Sequence, residues 1–297
     1  MGARSPLASW HPLIALMAVT FVPAVLPAQV ATDIFLVEVQ ESEGRLAAGR
    51  VVRVTDRAGY DNQPGFLPDG TSLLFTSIDS AGQADIFRYD IAAMRSTPLT
   101  RSAPESEYSA TVMPSGDRFS AIRVESDSTQ RLWSFRLDGS DPRILLEEVK
   151  PVGYHAWIDA SRVALFVLGD PPTLEIADVA TGKVSTVAER IGRSIQPVPG
   201  RKAISFVQRE GDGPGAVLLY DPATNMTEPL ATEVEENEYH AWTPSGILLS
   251  ARGSKLLQWS GSAGWTDVAD LAHAGLREIS RIATSPDGKL IALVSSQ

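Results

Sequence analysis

The stretch QPGFLPDGTSLLFTS, residues 63–77, decides the fold. Its Pro68-Asp69-Gly70 core sits between two apolar runs. Proline presets φ at the first central turn position, aspartate suits the next, and glycine takes a left-handed conformation. The triplet therefore reads as a tight connection between antiparallel strands. The same pattern returns as SATVMPSGDRFSAIRV (109–124), YHAWTPSGILLSA (239–251) and RIATSPDGKLIALVSS (281–296). Weaker copies are YHAWIDASRVALFVLG (154–169) and SIQPVPGRKAISFVQ (194–208). Pro68, Pro114, Asp159, Pro199, Pro244 and Pro286 hold the turn, at spacings of 46, 45, 40, 45 and 42 residues.

Each turn is followed by an apolar strand, a polar loop and a second alternating strand. These second strands are DIFRYDI (85–91), RLWSFRL (131–137), TLEIADV (173–179), AVLLYDP (216–222) and KLLQWSG (255–261). A short fourth strand comes next, as in STPLT (96–100) and RILLE (143–147). Four antiparallel strands at this period are the signature of a propeller blade. No window of a dozen residues carries a sustained helical stripe, and residues 269–277 offer one short helical turn at most. A two-sheet sandwich needs fewer strands than six such copies supply.

The sixth copy ends at Gln297 with only two strands. The missing pair stands at the other end of the chain, as DIFLVEV (33–39) and RVVRVTD (50–56). The expected fold is therefore all-β: a six-bladed β-propeller of four-stranded antiparallel blades. N-terminal strands within residues 29–57 complete the last blade, and pairing the termini removes two open strand edges. Residues 29–297 then form a single domain.

The 297-residue chain has 26 basic and 36 acidic side chains, a net charge of −10. Such a surface repels phosphate backbones, so nucleic acid is not an expected partner. The absence of cysteine excludes disulfides, thiolate zinc sites, a cysteine nucleophile and a lipoprotein anchor. Arg4, the apolar run LIALMAVTFVPAVL (13–26) and the following PAQ have the form of a secretory signal peptide, with cleavage expected after Ala28. The alternative is an uncleaved anchor, but Pro23 breaks the run and it is short for a span. The mature chain is expected in the periplasm or secreted, with no membrane span, as a monomer.

The repeats resemble those of the TolB-type β-propeller family. The matching residues are Pro68-Asp69-Gly70, the strand Asp85-Ile86-Phe87-Arg88-Tyr89-Asp90, and Pro286-Asp287-Gly288. The resemblance spans essentially the whole mature chain. It implies a six-bladed propeller, often periplasmic, that binds proteins or peptides through one face of its ring. The α/β domain that precedes the propeller of TolB has no counterpart in this sequence. Similar repeats occur in prolyl oligopeptidases, but the G-x-S-x-G elbow of their hydrolase domain does not occur here.

In a propeller the first strand of each blade lines the channel, and loops at one rim make the binding face. Five residues before each turn stand Gln63, Ser109, Tyr154, Ser194, Tyr239 and Arg281. One step back are Asn62, Tyr108, Arg193 and Glu238, and one step forward are His155 and His240 of the twin YHAW segments. These twelve residues form the expected channel-mouth site, fit for an anionic or peptide ligand. The structural alternative is that Trp157 and Trp242 pack between blades with the histidines beside them.

No metal or other cofactor is expected. His155, His240 and Glu238 lack close ligand spacing, and only Asn62 and Glu238 suit a channel calcium. Aspartates concentrate in turns, where they bond locally. The acidic run EVEENEYH (233–240) reads as a solvated loop, the alternative being a lip for a basic partner. The leading expectation is a non-catalytic scaffold for a protein or peptide partner. The second is a small-molecule hydrolase or lyase with its site at the channel mouth.

Overall fold

The computed structural model describes Gly2 and residues 30–211, 213, 215–235 and 237–297. The expected leader therefore lies outside the described residues, but for Gly2. Strands dominate the rest. The helical pieces among the described residues are two 3-10 turns, Gly261–Ala263 and Ala272–Ala274.

The chain opens with a hairpin, β1 (Thr32–Ser42) and β2 (Arg45–Arg53). A first meander follows: β3 (Tyr60–Phe66), β4 (Ser72–Ile78), β5 (Ala84–Asp90) and β6 (Arg95–Pro98). The second is β7 (Ser106–Val112), β8 (Arg118–Val124), β9 (Gln130–Arg136) and β10 (Arg143–Ile144). The third is β11 (Val152–Trp157), β12 (Arg162–Val167), β13 (Thr173–Asp178) and β14 (Val184–Glu189). Next come β15 (Ile191–Pro197), β16 (Ile204–Gln208), β17 (Ala216–Asp221) and β18 (Met226–Thr232). The fifth holds β19 (Ala241–Trp242), β20 (Leu248–Arg252), β21 (Lys255–Trp259) and β22 (Trp265–Asp270). The chain ends on β23 (Ile279–Thr284) and β24 (Leu290–Ser296).

Meanders two to five are each a separate four-stranded antiparallel sheet. The remaining strands join in one eight-stranded sheet. Within it β1 lies antiparallel between β24 and β2, from Thr32↔Ser296 to Glu38↔Leu290. A single parallel bridge, Thr32↔Tyr60, links that terminal group to the first meander.

The Pro-x-Gly turns close as the sequence chemistry requires. The Gly70 N–H donates to the Leu67 carbonyl at 2.9 Å with φ at +69°. Thr71 N–H then bonds the Asp69 carboxylate at 3.0 Å. The hairpin β1–β2 has a different turn. Glu43 and Gly44 both take positive φ, 51° and 72°, as two-residue hairpin connections favour. Hence β2 begins at Arg45, earlier than the apolar alternation from residue 50 suggests.

Apolar layers fill the spaces between successive sheets. Phe166 and Leu174 pack with Ile204 and Phe206, joining the third meander to the fourth. Ile34, Leu36 and Val294 pack with Leu73 and Phe75, joining the terminal strands to the first meander. Each such fully buried side chain stabilises the fold by about 1.5–3 kcal/mol through area removed from water. Gly139 marks one of the tightest approaches between neighbours: a Cβ there would stand 2.1 Å from the Leu99 carbonyl oxygen.

Candidate binding site

A cavity of about 530 Å³ is bordered by β3, β7, β11, β15, β19 and β23, the first strand of every meander and of the C-terminal pair. Pro68, Pro199, Pro244 and Pro286 of the turns also line it. Register breaks recur in these strands, at Asn62/Gly65, Tyr108/Thr111, Val152/Tyr154, Ile191/Ile195 and Ile279/Arg281. A bulge places an extra residue against its partner strand and re-aims the side chains beyond it. Gln63 and Ser109 sit at these breaks with positive φ, 58° and 55°.

Arg281 is the centre of the site. Its Nη2 donates to the hydroxyls of Tyr154 and Tyr239, at 2.9 Å each. The guanidinium carbon lies 4.1 Å from the Tyr239 ring centroid and 5.0 Å from that of Tyr154, so both rings also offer cation–π contact. Tyr239 belongs to the neighbouring repeat, 42 residues back, whereas Tyr154 lies 127 residues back. No carboxylate pairs with Arg281 among the described residues. Burial raises the Tyr239 phenol above its ordinary range, against the pull of Arg281. Burial likewise pushes Tyr60 up to about 12, with Arg281 and Arg193 opposing. These phenols are neutral at neutral pH and leave the charge of Arg281 uncompensated.

Arg193 adds a second guanidinium, 59% exposed, with its Nε 3.7 Å from Glu238. Glu238 Oε2 accepts the Arg193 backbone N–H at 2.9 Å. The space is kept by Gly192, where a Cβ would stand 2.9 Å from the same oxygen.

The histidines are placed differently from the tyrosines beside them. His155 Nε2 lies 2.7 Å from Ser120 Oγ, which also accepts Trp157 Nε1–H at 2.9 Å. The second YHAW repeats this: His240 Nε2 is 2.8 Å from Ser205 Oγ, and Trp242 Nε1–H donates to it at 2.8 Å. Alternation along a strand sends residues two apart to one face. Each His and Trp therefore turns to a serine of the preceding meander, while Tyr154 and Tyr239 turn to Arg281. Burial lowers His155 to about 3 and His240 to about 4, so both rings are neutral at physiological pH.

Of the other expected site residues, Gln63 Oε1 accepts from Ser109 N–H and Thr76 Oγ1, both at 2.8 Å, tying β3 and β4 to β7. Ser194 Oγ accepts the His240 N–H at 3.1 Å. Asn62 donates to Thr32 Oγ1 at 3.3 Å, stitching β3 to β1, and does not border the cavity. Tyr108 is half-buried against the core that includes Ile122 and Leu132, and it too lies off the cavity wall. Tyr60 is a site neighbour that the sequence pattern passed over, since it stands eight residues before Pro68 and outside the three expected rings. Among the described residues, no three His, Asp or Glu side chains gather to hold a metal ion.

No family model matches the sequence, and no curated protein matches it. The fold does have solved counterparts. The putative TolB from Agrobacterium tumefaciens superposes with a TM-score of 0.69 at 14% identity, covering 91% of this chain and 99% of that one. TolB from Acinetobacter baumannii gives 0.61 at 13% identity, over 89% of this chain and 64% of that one. An oligogalacturonate lyase from Vibrio parahaemolyticus gives 0.53 at 11% identity, over 90% and 98%. Identities this low speak to the fold and leave the chemistry to the site. No helix among the described residues is long and apolar enough to cross a membrane. The chain folds as a TolB-like β-propeller.

Proposed function

We propose that the chain is an exported, non-catalytic six-bladed propeller that binds a protein or peptide segment through its central channel. The observation that carries this is the meeting of Arg281 with both Tyr154 and Tyr239. A side chain that reaches its neighbour's strand and a strand three repeats away lies near a common axis. That supports six repeats arranged around one channel, with β1 and β2 completing the last blade beside β23 and β24. Tyrosine and arginine, with tryptophan, are enriched among the side chains that anchor protein interfaces. A cavity of about 530 Å³ walled by them admits an extended segment or a protruding side chain.

A small-molecule hydrolase or lyase is the weaker alternative. Its general base would be His155 or His240, and both rings already face buried serines between sheets. The test is capture from the native periplasm with the mature protein. The double variant Tyr154→Ala, Tyr239→Ala should keep its fold and lose most of the recovered partner. Undiminished recovery would move the site away from the channel.

A further inference from the structure

We propose that Arg281 is a receptor for a ligand carboxylate, supplied by an acidic side chain or the C-terminus of the peptide bound in the channel. This rests on the channel-binding function above and names the chemistry it selects.

Arginine presents five N–H donors in a fixed plane. In Arg281 the two on Nη2 go to Tyr154 and Tyr239. The three on Nε and Nη1 have no partner among the described residues, and the residue borders the cavity. Elsewhere this chain pairs its half-buried arginines with acids, as in Arg123 with Glu107 and Arg131 with Glu125. A guanidinium drawn out of water without a counter-charge is costly, and an anion that reaches it recovers part of that cost.

The two phenols do more than share the site. They fix the guanidinium plane, so the side chain needs little ordering when an anion arrives. Arginine's fork matches a carboxylate, and charge-assisted hydrogen bonds are the strong ones. Arg193 stands on the same wall, and the carboxylate nearest its guanidinium among the described residues is Glu238, at 3.7 Å and shared with Arg209. In a chain of net charge −10, this is a local positive site that draws an acidic group inward while the outer surface repels it.

The test is an NMR titration of the 15N-labelled mature protein with three probes. They are an acetylated tripeptide ending in glutamate, its fully amidated glutamine analogue, and galacturonate as a small free acid. The acidic peptide should shift resonances of residues 152–157, 238–242 and 279–284. It should bind at least about tenfold tighter than the amide, and weaken as salt rises. Arg281→Met should abolish that tenfold preference, and Arg281→Lys should keep part of it. Should Arg281→Met fail to fold, the acid-to-amide ratio and the salt dependence on the unaltered protein decide the matter. Equal binding of acid and amide at the channel would overturn carboxylate recognition and leave channel binding standing. Titration by galacturonate alone would overturn the peptide as its source. No channel response to any of the three would overturn both.

Discussion

Thr32 pairs directly with Ser296, so the first described strand and the last one share a ladder that runs to Glu38 and Leu290. The hairpin that carries Thr32 is also held at its far end, where Gln258 Oε1 accepts the Leu46 N–H at 2.9 Å. Deleting residues 30–53 would strip two strands from this sheet and expose β24 as an open edge. The shortened protein should lose cooperative unfolding and tend to associate. Calorimetry and light scattering check this, and an unchanged melting temperature would contradict the proposed closure of a ring through the pairing of the terminal strands.

The two serines between sheets make a second prediction. Ser120→Ala leaves the Trp157 N–H and the His155 ring nitrogen without their shared partner, and Ser205→Ala does the same to Trp242 and His240. Each should cost ~1–3 kcal/mol, the penalty for a buried polar group left unpaired. Urea unfolding measures it. Channel binding should survive, because these serines lie between sheets.

Acid should weaken the fold through the same histidines. In the unfolded chain they titrate near 6.5, whereas burial holds them at about 3 and about 4 in the fold. Between those values the unfolded chain binds more protons. Stability is therefore full above about pH 6.5 and falls as pH drops toward 4, by ~3 kcal/mol per histidine on linkage grounds. Unfolding free energies at pH 7 and pH 4.5 test this. The double variant His155→Gln, His240→Gln should flatten the slope, whatever it does to stability at pH 7.

Gly139 tests the packing of one repeat on the next. It has φ of +82°, and a Cβ would meet the Leu99 backbone at 2.1 Å. Backbone cannot swing aside as a side-chain end can. Gly139→Ala should destabilise by ~2 kcal/mol or more, while Gly82→Ala, at φ +87° with open space around it, should cost less.

Much of this fold is legible in the sequence because its turns are local chemistry. Pro68-Asp69-Gly70 and Pro286-Asp287-Gly288 specify their conformation without help from distant residues, and their spacing gives the period. The orphaned strand pair at the N-terminus follows from counting. The site was legible only in part. Counting back five residues from each turn picks out Tyr154, Tyr239 and Arg281, which meet in the structure, and one step forward adds the two histidines. The HxW spacing in each YHAW segment marks a distinction within that set: period two turns His155 and Trp157 to one face and Tyr154 to the other, while both histidines still border the cavity. Bulges hide the rest. A register break such as Tyr108/Thr111 changes which face a residue takes, and no local composition marks it. Tyr60 escaped for another reason, because its nearness to Arg281 depends on β3 meeting β23, two strands far apart in the sequence.

The most direct measurement of the central claim is a hydrogen-exchange footprint of the captured partner on the mature protein. Binding through the channel predicts protection in residues 60–66, 152–157, 238–242 and 279–284, with the outer strand Met226–Thr232 unchanged. Protection confined to outer strands, with those four segments exchanging as in the free protein, would contradict it.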